Sequence, residues 1–196
     1  MTFRLGLTGS IGMGKSTTAK LFSEAGCDVW DADAAVHRIY TEGGAAVEPM
    51  RALFPVAIID GAVSRDVLKQ IIAEQPDALK QIEQIVHPLV AVDRAEFVAA
   101  AKSDIIVFDI PLLFETGGNE RMDAVAVVSI DAEEQRRRVL ARGTMSEAQF
   151  EAILAKQVPD AEKRQKADYV IVTDTVEHAR QQVQDILKDI REKMDA

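Results

Sequence analysis

Short apolar runs alternate along the chain with stretches in which apolar positions recur every three or four residues. The runs Phe3–Thr8, Cys27–Trp30, Ile105–Ile110, Ala124–Ile130 and Tyr169–Val172 are largely hydrophobic at both odd and even positions. That pattern marks strands buried on both faces, as in a parallel sheet. With helical patterns between them, the runs predict an α/β fold: a five-stranded parallel sheet in three layers, covered by helices.

Residues 31–104 separate the second run from the third, which is too much chain for one crossover. They read mostly as helix, including Ser64–Ala73 and Asp77–Ala101, with Pro76 and Pro88 as interruptions. An inserted helical subdomain over about residues 36–102 is expected, placed to cover something bound beside the sheet. After the fourth run, Ala132–Arg142 reads as one helix and Gly143 as a break. Ser146 and Gln149 have the spacing of a capping box that opens the next helix, within a second helical stretch over about 132–166. From about Thr175 a last helix aligns Val176, Ala179, Val183, Ile186 and Ile190 on one stripe that suits packing against the sheet. There is no repeat, low-complexity tract or linker, so one domain is expected, its core formed by residues 1–35, 103–131 and 167–196.

Composition narrows the function. A net charge of −9 argues against general nucleic-acid binding, which draws on Lys and Arg to displace counterions, so any anion must be held by a local site. Cys27 is the only cysteine, which excludes an internal disulfide and suits a reducing compartment. The opening MTFRLGLTGSIGMGKS lacks the apolar length and cleavage site of a signal peptide, and no run approaches the roughly 18 apolar residues of a membrane span. A cytoplasmic location without a membrane partner is expected.

The segment from Gly9 to Ser16, GSIGMGKS, has the pattern Gly, four residues, Gly, Lys, then Ser or Thr, and it lies between a predicted strand and a predicted helix. Its glycines (Gly9, Gly12, Gly14) let the backbone wrap a phosphate, with N–H groups from residues such as Ile11, Met13 and Thr17 available alongside, and the helix adds the positive end of its dipole. Lys15 would reach the β and γ phosphates, and the Ser16 hydroxyl would ligate Mg²⁺. Asp109 ends an apolar strand at the carboxyl edge where ligands of open α/β sheets gather, and it is a second Mg²⁺ candidate, through water; a plain strand end before Pro111 is the alternative.

Asp31-Ala32-Asp33 follows the second strand. Capping needs only one Asp, and a hydroxyl that accepts a phosphoryl group needs a carboxylate to orient it and take its proton. Asp33 is the candidate base, with Asp31 structural. Arg136, Arg137, Arg138 and Arg142 cluster in an otherwise acidic chain. Pairing with Glu133 and Glu134 explains part of the cluster but not Arg142. Arg138 and Arg142, four apart, share a helix face from which guanidinium groups could close over the transferring phosphate. No metal-ligand spacing surrounds the three histidines, and no Ser-His-Asp arrangement stands out.

LTGSIGMGKST, Asp31-Ala32-Asp33, HPLV from His87, DIPLLFE from Asp109, RVLAR from Arg138, Gln157 and ADYVI from Ala167 occur in the order seen in dephospho-CoA kinases, and the chain resembles that family over nearly its whole length. The resemblance implies a P-loop kinase fold with an inserted substrate-binding subdomain and a helical lid. It implies transfer of the ATP γ-phosphate, with Mg²⁺, to the ribose 3′-hydroxyl of dephospho-CoA, with Asp33 activating that hydroxyl. Arg65, His87 and Pro88 would bind the acceptor, Pro111, Leu112 and Leu113 would line the site, and the helix pair bearing Arg138 and Arg142 would be the lid. No nucleic acid, membrane or obligatory protein partner is implied.

Where many members have Asn and Gly after the last strand, this chain reads Val172-Thr173-Asp174-Thr175, which sets base recognition apart from the family pattern. Met13, often Ser or Ala elsewhere, is expected to matter little because the loop works through its backbone. Two rival readings are another nucleotide or small-molecule kinase on the same fold and a P-loop NTPase switch. The second usually reads guanine through Asn-Lys-x-Asp, whereas the only asparagine here, Asn119, precedes Glu120.

Overall fold

The computed structural model describes residues 2–196. In chain order it contains β1 (Phe3–Thr8), α1 (Lys15–Glu24), β2 (Asp28–Asp31), α2 (Ala32–Tyr40), α3 (Val47–Leu53), β3 (Ile58–Ile59), β4 (Ala62–Val63), α4 (Arg65–Glu74), α5 (Ala78–Ala100), β5 (Ile105–Asp109), β6 (Ala124–Ser129), α6 (Ala132–Ala141), α7 (Glu147–Leu154), α8 (Asp160–Lys166), β7 (Tyr169–Val172) and α9 (Val176–Met194). The chain divides into two compact units, residues 2–29 with Lys102–Ala196, and Trp30–Ala101.

The five expected strands form one sheet in the order β2-β5-β1-β6-β7. The β1–β5, β1–β6 and β6–β7 pairs are parallel, with Leu7 opposite Asp109 on one side and Ala126 on the other. Every residue of β5 and β6 is buried, because both faces of β6 are covered, one by helices and the other by the chain that follows β5. Strand side chains alternate between faces, so Ala124, Ala126 and Val128 join Leu5, Leu7 and Ile171 against Leu21 and Phe22 of α1 and Ala179, Val183, Ile186 and Ile190 of α9. Val125 and Val127 turn the other way, toward Leu113 and partly buried Ile110, Phe114 and Met122. The expected stripe on the last helix is buried apart from Val176, which is 47% exposed in the first turn.

The unit of residues 30–101 has its own core, in which Ile39 and Tyr40 of α2, Met50 of α3, Phe54, Leu68 and Ile71 of α4 and Ile82 of α5 come together. Asp93 accepts from the Trp30 indole at 2.9 Å and from the Arg38 guanidinium at 2.8 and 2.6 Å. That unit departs from the expectation in two places. Pro88 does not interrupt its helix but stands inside the 23-residue α5; the ring forfeits one N–H donor while the rest of the helix holds its path. The segment also contains the β3–β4 hairpin, turning at Asp60 (φ 48°) and Gly61 (φ 80°).

Candidate active site

The phosphate loop joins β1 to α1. Gly12 and Gly14 take φ values of 78° and 88°, which side chains other than glycine rarely adopt. A Cβ on Gly12 would also lie 2.4 Å from Val139 Cγ2. Gly14 is the N-cap of α1, and no side chain caps that helix end, which leaves first-turn N–H groups available to an anion. Lys15 follows at once, its ammonium paired with the Asp109 carboxylate. Asp109 is 2% exposed at the end of β5, the strand beside β1. Ser16 and Thr17 are exposed.

The loop is held from several sides. The Thr8 hydroxyl donates to the Pro111 carbonyl at 3.0 Å, and the Thr173 hydroxyl donates to the Met13 carbonyl at 2.7 Å. The Ile11 N–H donates to Gln157 Oε1 at 3.3 Å, and the Ile11 carbonyl accepts from Gln135 Nε2 at 2.8 Å. Met13 corrects an expectation: its side chain is 2% exposed, belongs to the sheet core and accepts the Ile130 N–H through Sδ at 3.1 Å. This side chain anchors the loop whose backbone was expected to do the work.

Beside the loop opens a cleft of about 400 Å³. Gly12, Gly14, Thr17 and Thr18 form one wall, Arg137, Arg138, Ala141 and Arg142 another, and Thr173 to Val176 with Ala179 a third. The Arg138 guanidinium donates to the Thr173 carbonyl at 2.7 Å, to its hydroxyl at 3.2 Å and to Glu134 at 2.7 Å. Arg137, then Arg138, hold the Glu134 carboxyl well down, at about 2. Arg142 is the exposed C-cap of α6 and, among the described residues, makes no ion pair. Where the family pattern has Asn and Gly, Thr173 is buried in loop contacts, Asp174 binds the Thr175 N–H and His178 Nδ1 at 2.8 and 2.7 Å, and Thr175 caps α9.

A buried ion pair stands behind the loop. Lys163 of α8, with its side chain wholly buried, lies 2.9 Å from Glu115 Oε1, which also accepts the Val158 N–H at 2.9 Å. Burial opposes ionisation of Glu115, but the Lys163 ammonium and backbone N–H groups outweigh it and hold the carboxyl below its usual value. Lys163 Nζ and Glu115 Oε2 have no hydrogen-bond partner among the described residues, so the contact is a close ion pair. Cys27 is buried, and burial pushes its thiol up to about 11, away from a nucleophile's range.

The structure brings Gly9 to Thr17, Asp109, Arg138 and Arg142 together within the first unit. Leu112 is 43% exposed in the loop after β5, whereas Leu113 is fully buried and shapes that loop from beneath. In the unit of residues 30–101, the Asp31 carboxylate caps α2 by accepting the Ala34 N–H at 2.9 Å. Asp33 is exposed in the first turn of α2, its carboxylate without a hydrogen bond among the described residues, and Arg65 donates to its carbonyl at 3.4 Å. Arg65 also lies over the Tyr40 ring, 5.8 Å from its centroid, and His87 and Pro88 are exposed on α5. Sequence reasoning passed over Gln135 and the Glu115–Lys163 pair. The available signal for Gln135 was a polar residue four before Val139, on the buried stripe of α6.

Comparison with known proteins identifies the fold and the family. A structure of TT1252 from Thermus thermophilus superposes with a TM-score of 0.84 at 32% identity, over 98% of this chain and 97% of that one. The dephospho-CoA kinase from Campylobacter jejuni superposes with a TM-score of 0.71 at 24% identity, over 98% and 99%, and shares the fold. The dephospho-CoA kinase of Ruegeria pomeroyi is 71% identical over 191 residues, 97% of each chain. The dephospho-CoA kinase family model matches residues 3–178, and by that span and that identity the chain belongs to the dephospho-CoA kinase family.

Proposed function

We propose that this ATP-dependent kinase works with Mg²⁺ and transfers the γ-phosphate to the ribose 3′-hydroxyl of dephospho-CoA, giving CoA and ADP. The observation that carries the reading is the phosphate loop with Lys15 set against Asp109, beside a cleft walled by Arg138 and Arg142. The loop N–H groups, the start of α1 and Lys15 would bind the β and γ phosphates. The Ser16 hydroxyl and Asp109 carboxylate are hard oxygen donors that fit Mg²⁺. Among the described residues no group of three or more His, Cys, Asp or Glu gathers as a cage, and Mg²⁺ characteristically takes only one or two protein oxygens beside phosphate and water. When bound it would neutralise phosphate charge.

Asp33, exposed and free of a side-chain hydrogen bond among the described residues, would orient the acceptor hydroxyl and take its proton. Arg65, His87, Pro88, Pro111 and Leu112 would hold the acceptor, with Leu113 supporting the loop. Arg142 would supply charge at the transferring phosphate. Arg138 would stiffen the cleft wall while adding positive charge, and the α6–α8 segment would act as a lid. No helix among the described residues is long and apolar enough to cross a membrane, which fits work in the cytoplasm; no nucleic acid or obligatory protein partner enters the scheme.

Asp33→Asn tests the base. It should lower kcat by about a hundredfold or more with little change in the KM for ATP, whereas near-normal turnover would remove Asp33 from that role.

A further inference from the structure

Ile11 is unusual within the phosphate loop, because side chains from outside the loop hold both its N–H and its carbonyl. Gln157 accepts from the N–H and Gln135 donates to the carbonyl. Gln135 lies near the start of the 132–166 segment and Gln157 in the turn between α7 and α8. Gln135 is in the first turn of α6, 4% exposed and one turn from Val139, whose methyl group packs where a Gly12 Cβ would sit. Gln157 follows α7, its N–H bonded to the Leu154 carbonyl at 3.0 Å, and the next residue is held by Glu115.

Burying an amide is unfavourable unless its polar groups find partners, and the partner of the buried Gln135 is a loop carbonyl. Two well-separated points of one helical segment therefore converge on a single loop residue. We propose that Gln135 and Gln157 are positioning residues that, through Ile11, pass the pose of the α6–α8 segment to the N–H groups that bind ATP. The inference rests on the reading that residues 9–16 hold the phosphates of ATP.

The two amides have opposite roles, which makes the proposal specific. Gln157 serves as an acceptor, so Gln157→Glu keeps what Ile11 needs. Gln135 serves as a donor, so Gln135→Glu loses it and sets a carboxylate against a carbonyl. Both variants add one negative charge beside the same residue, so their difference isolates the hydrogen bond.

Mg-ATP binding by calorimetry and steady-state kinetics would be measured for the full chain and both Glu variants, with Gln157→Ala and the volume-matched Gln135→Met alongside and thermal melts as the folding control. Gln157→Ala and Gln135→Met should each weaken ATP binding by about three- to tenfold and leave the KM for dephospho-CoA within about twofold. Gln157→Glu should exceed Gln135→Glu by about tenfold in kcat/KM for ATP, the value of a donor retained against one lost. Equal losses in the two Glu variants, or unchanged ATP binding in Gln135→Met and Gln157→Ala, would overturn the proposal. A parent chain that binds ATP but does not phosphorylate dephospho-CoA would instead overturn the acceptor assignment and leave the calorimetric comparison standing.

Discussion

At Gly12, backbone and packing make the same demand. A left-handed φ costs a residue with a Cβ about 1–2 kcal/mol, and here the Cβ would also run into Val139. Gly12→Ala should therefore weaken Mg-ATP binding at least tenfold, and adding Val139→Ala should recover part of that loss by opening space while leaving the backbone strain. Isothermal titration of the two variants checks this; full recovery in the double variant would mean that φ imposes no strain here. The loop itself was legible because its pattern is local. The partners that fix it were not: Met13 meets Ile130, 117 positions away, and the Thr173 hydroxyl meets the Met13 carbonyl across 160. No local pattern in sequence announces contacts of that range, so Met13 was underrated and Gln135 passed over.

Among the elements, those with regular periodicity or local capping were legible. Ser146 and Gln149 form the expected capping box, and Thr175 caps the last helix. The β3–β4 hairpin carried a plain signal, Asp-Gly between pairs of apolar residues, which the helical character of its surroundings obscured. Lys163 was hidden for a different reason: α8 reads Asp-Ala-Glu-Lys-Arg-Gln-Lys, a solvated pattern, and only Glu115, 48 positions earlier, explains a buried ammonium.

Removing one member of such a pair leaves an uncompensated buried charge at about 3–5 kcal/mol. Glu115→Gln and Lys163→Met should each destabilise on that scale in urea unfolding, and the double variant should fall well short of the sum. Additive losses would mean that the two groups do not sense each other. The folded carboxyl of Glu115 lies below its unfolded value near 4.3. The stability it contributes is therefore fully present above that value and lost as pH falls through the folded one. Parent and Glu115→Gln unfolding energies should converge below pH 4, and a gap independent of pH would contradict the pair.

At the scale of the whole molecule, the five strand segments and the helices between them were legible because parallel strands buried on both faces are continuously apolar. The order β2-β5-β1-β6-β7 was not, since periodicity says which faces are buried and nothing about neighbours. Net charge sets a constraint of another kind: in a chain of −9, an anion needs a local site, and the phosphate loop with Arg138 and Arg142 around one cleft would supply the positive groups. The identity of the acceptor depends most on family membership. A coupled ADP-release assay with Mg-ATP tests it most directly, with dephospho-CoA run beside AMP, CMP, shikimate, adenosine and no acceptor, and the product weighed by mass spectrometry. Rapid ADP release with dephospho-CoA alone, matched by CoA formation, is the predicted result; equal release without any acceptor, or faster turnover of another acceptor, would contradict it.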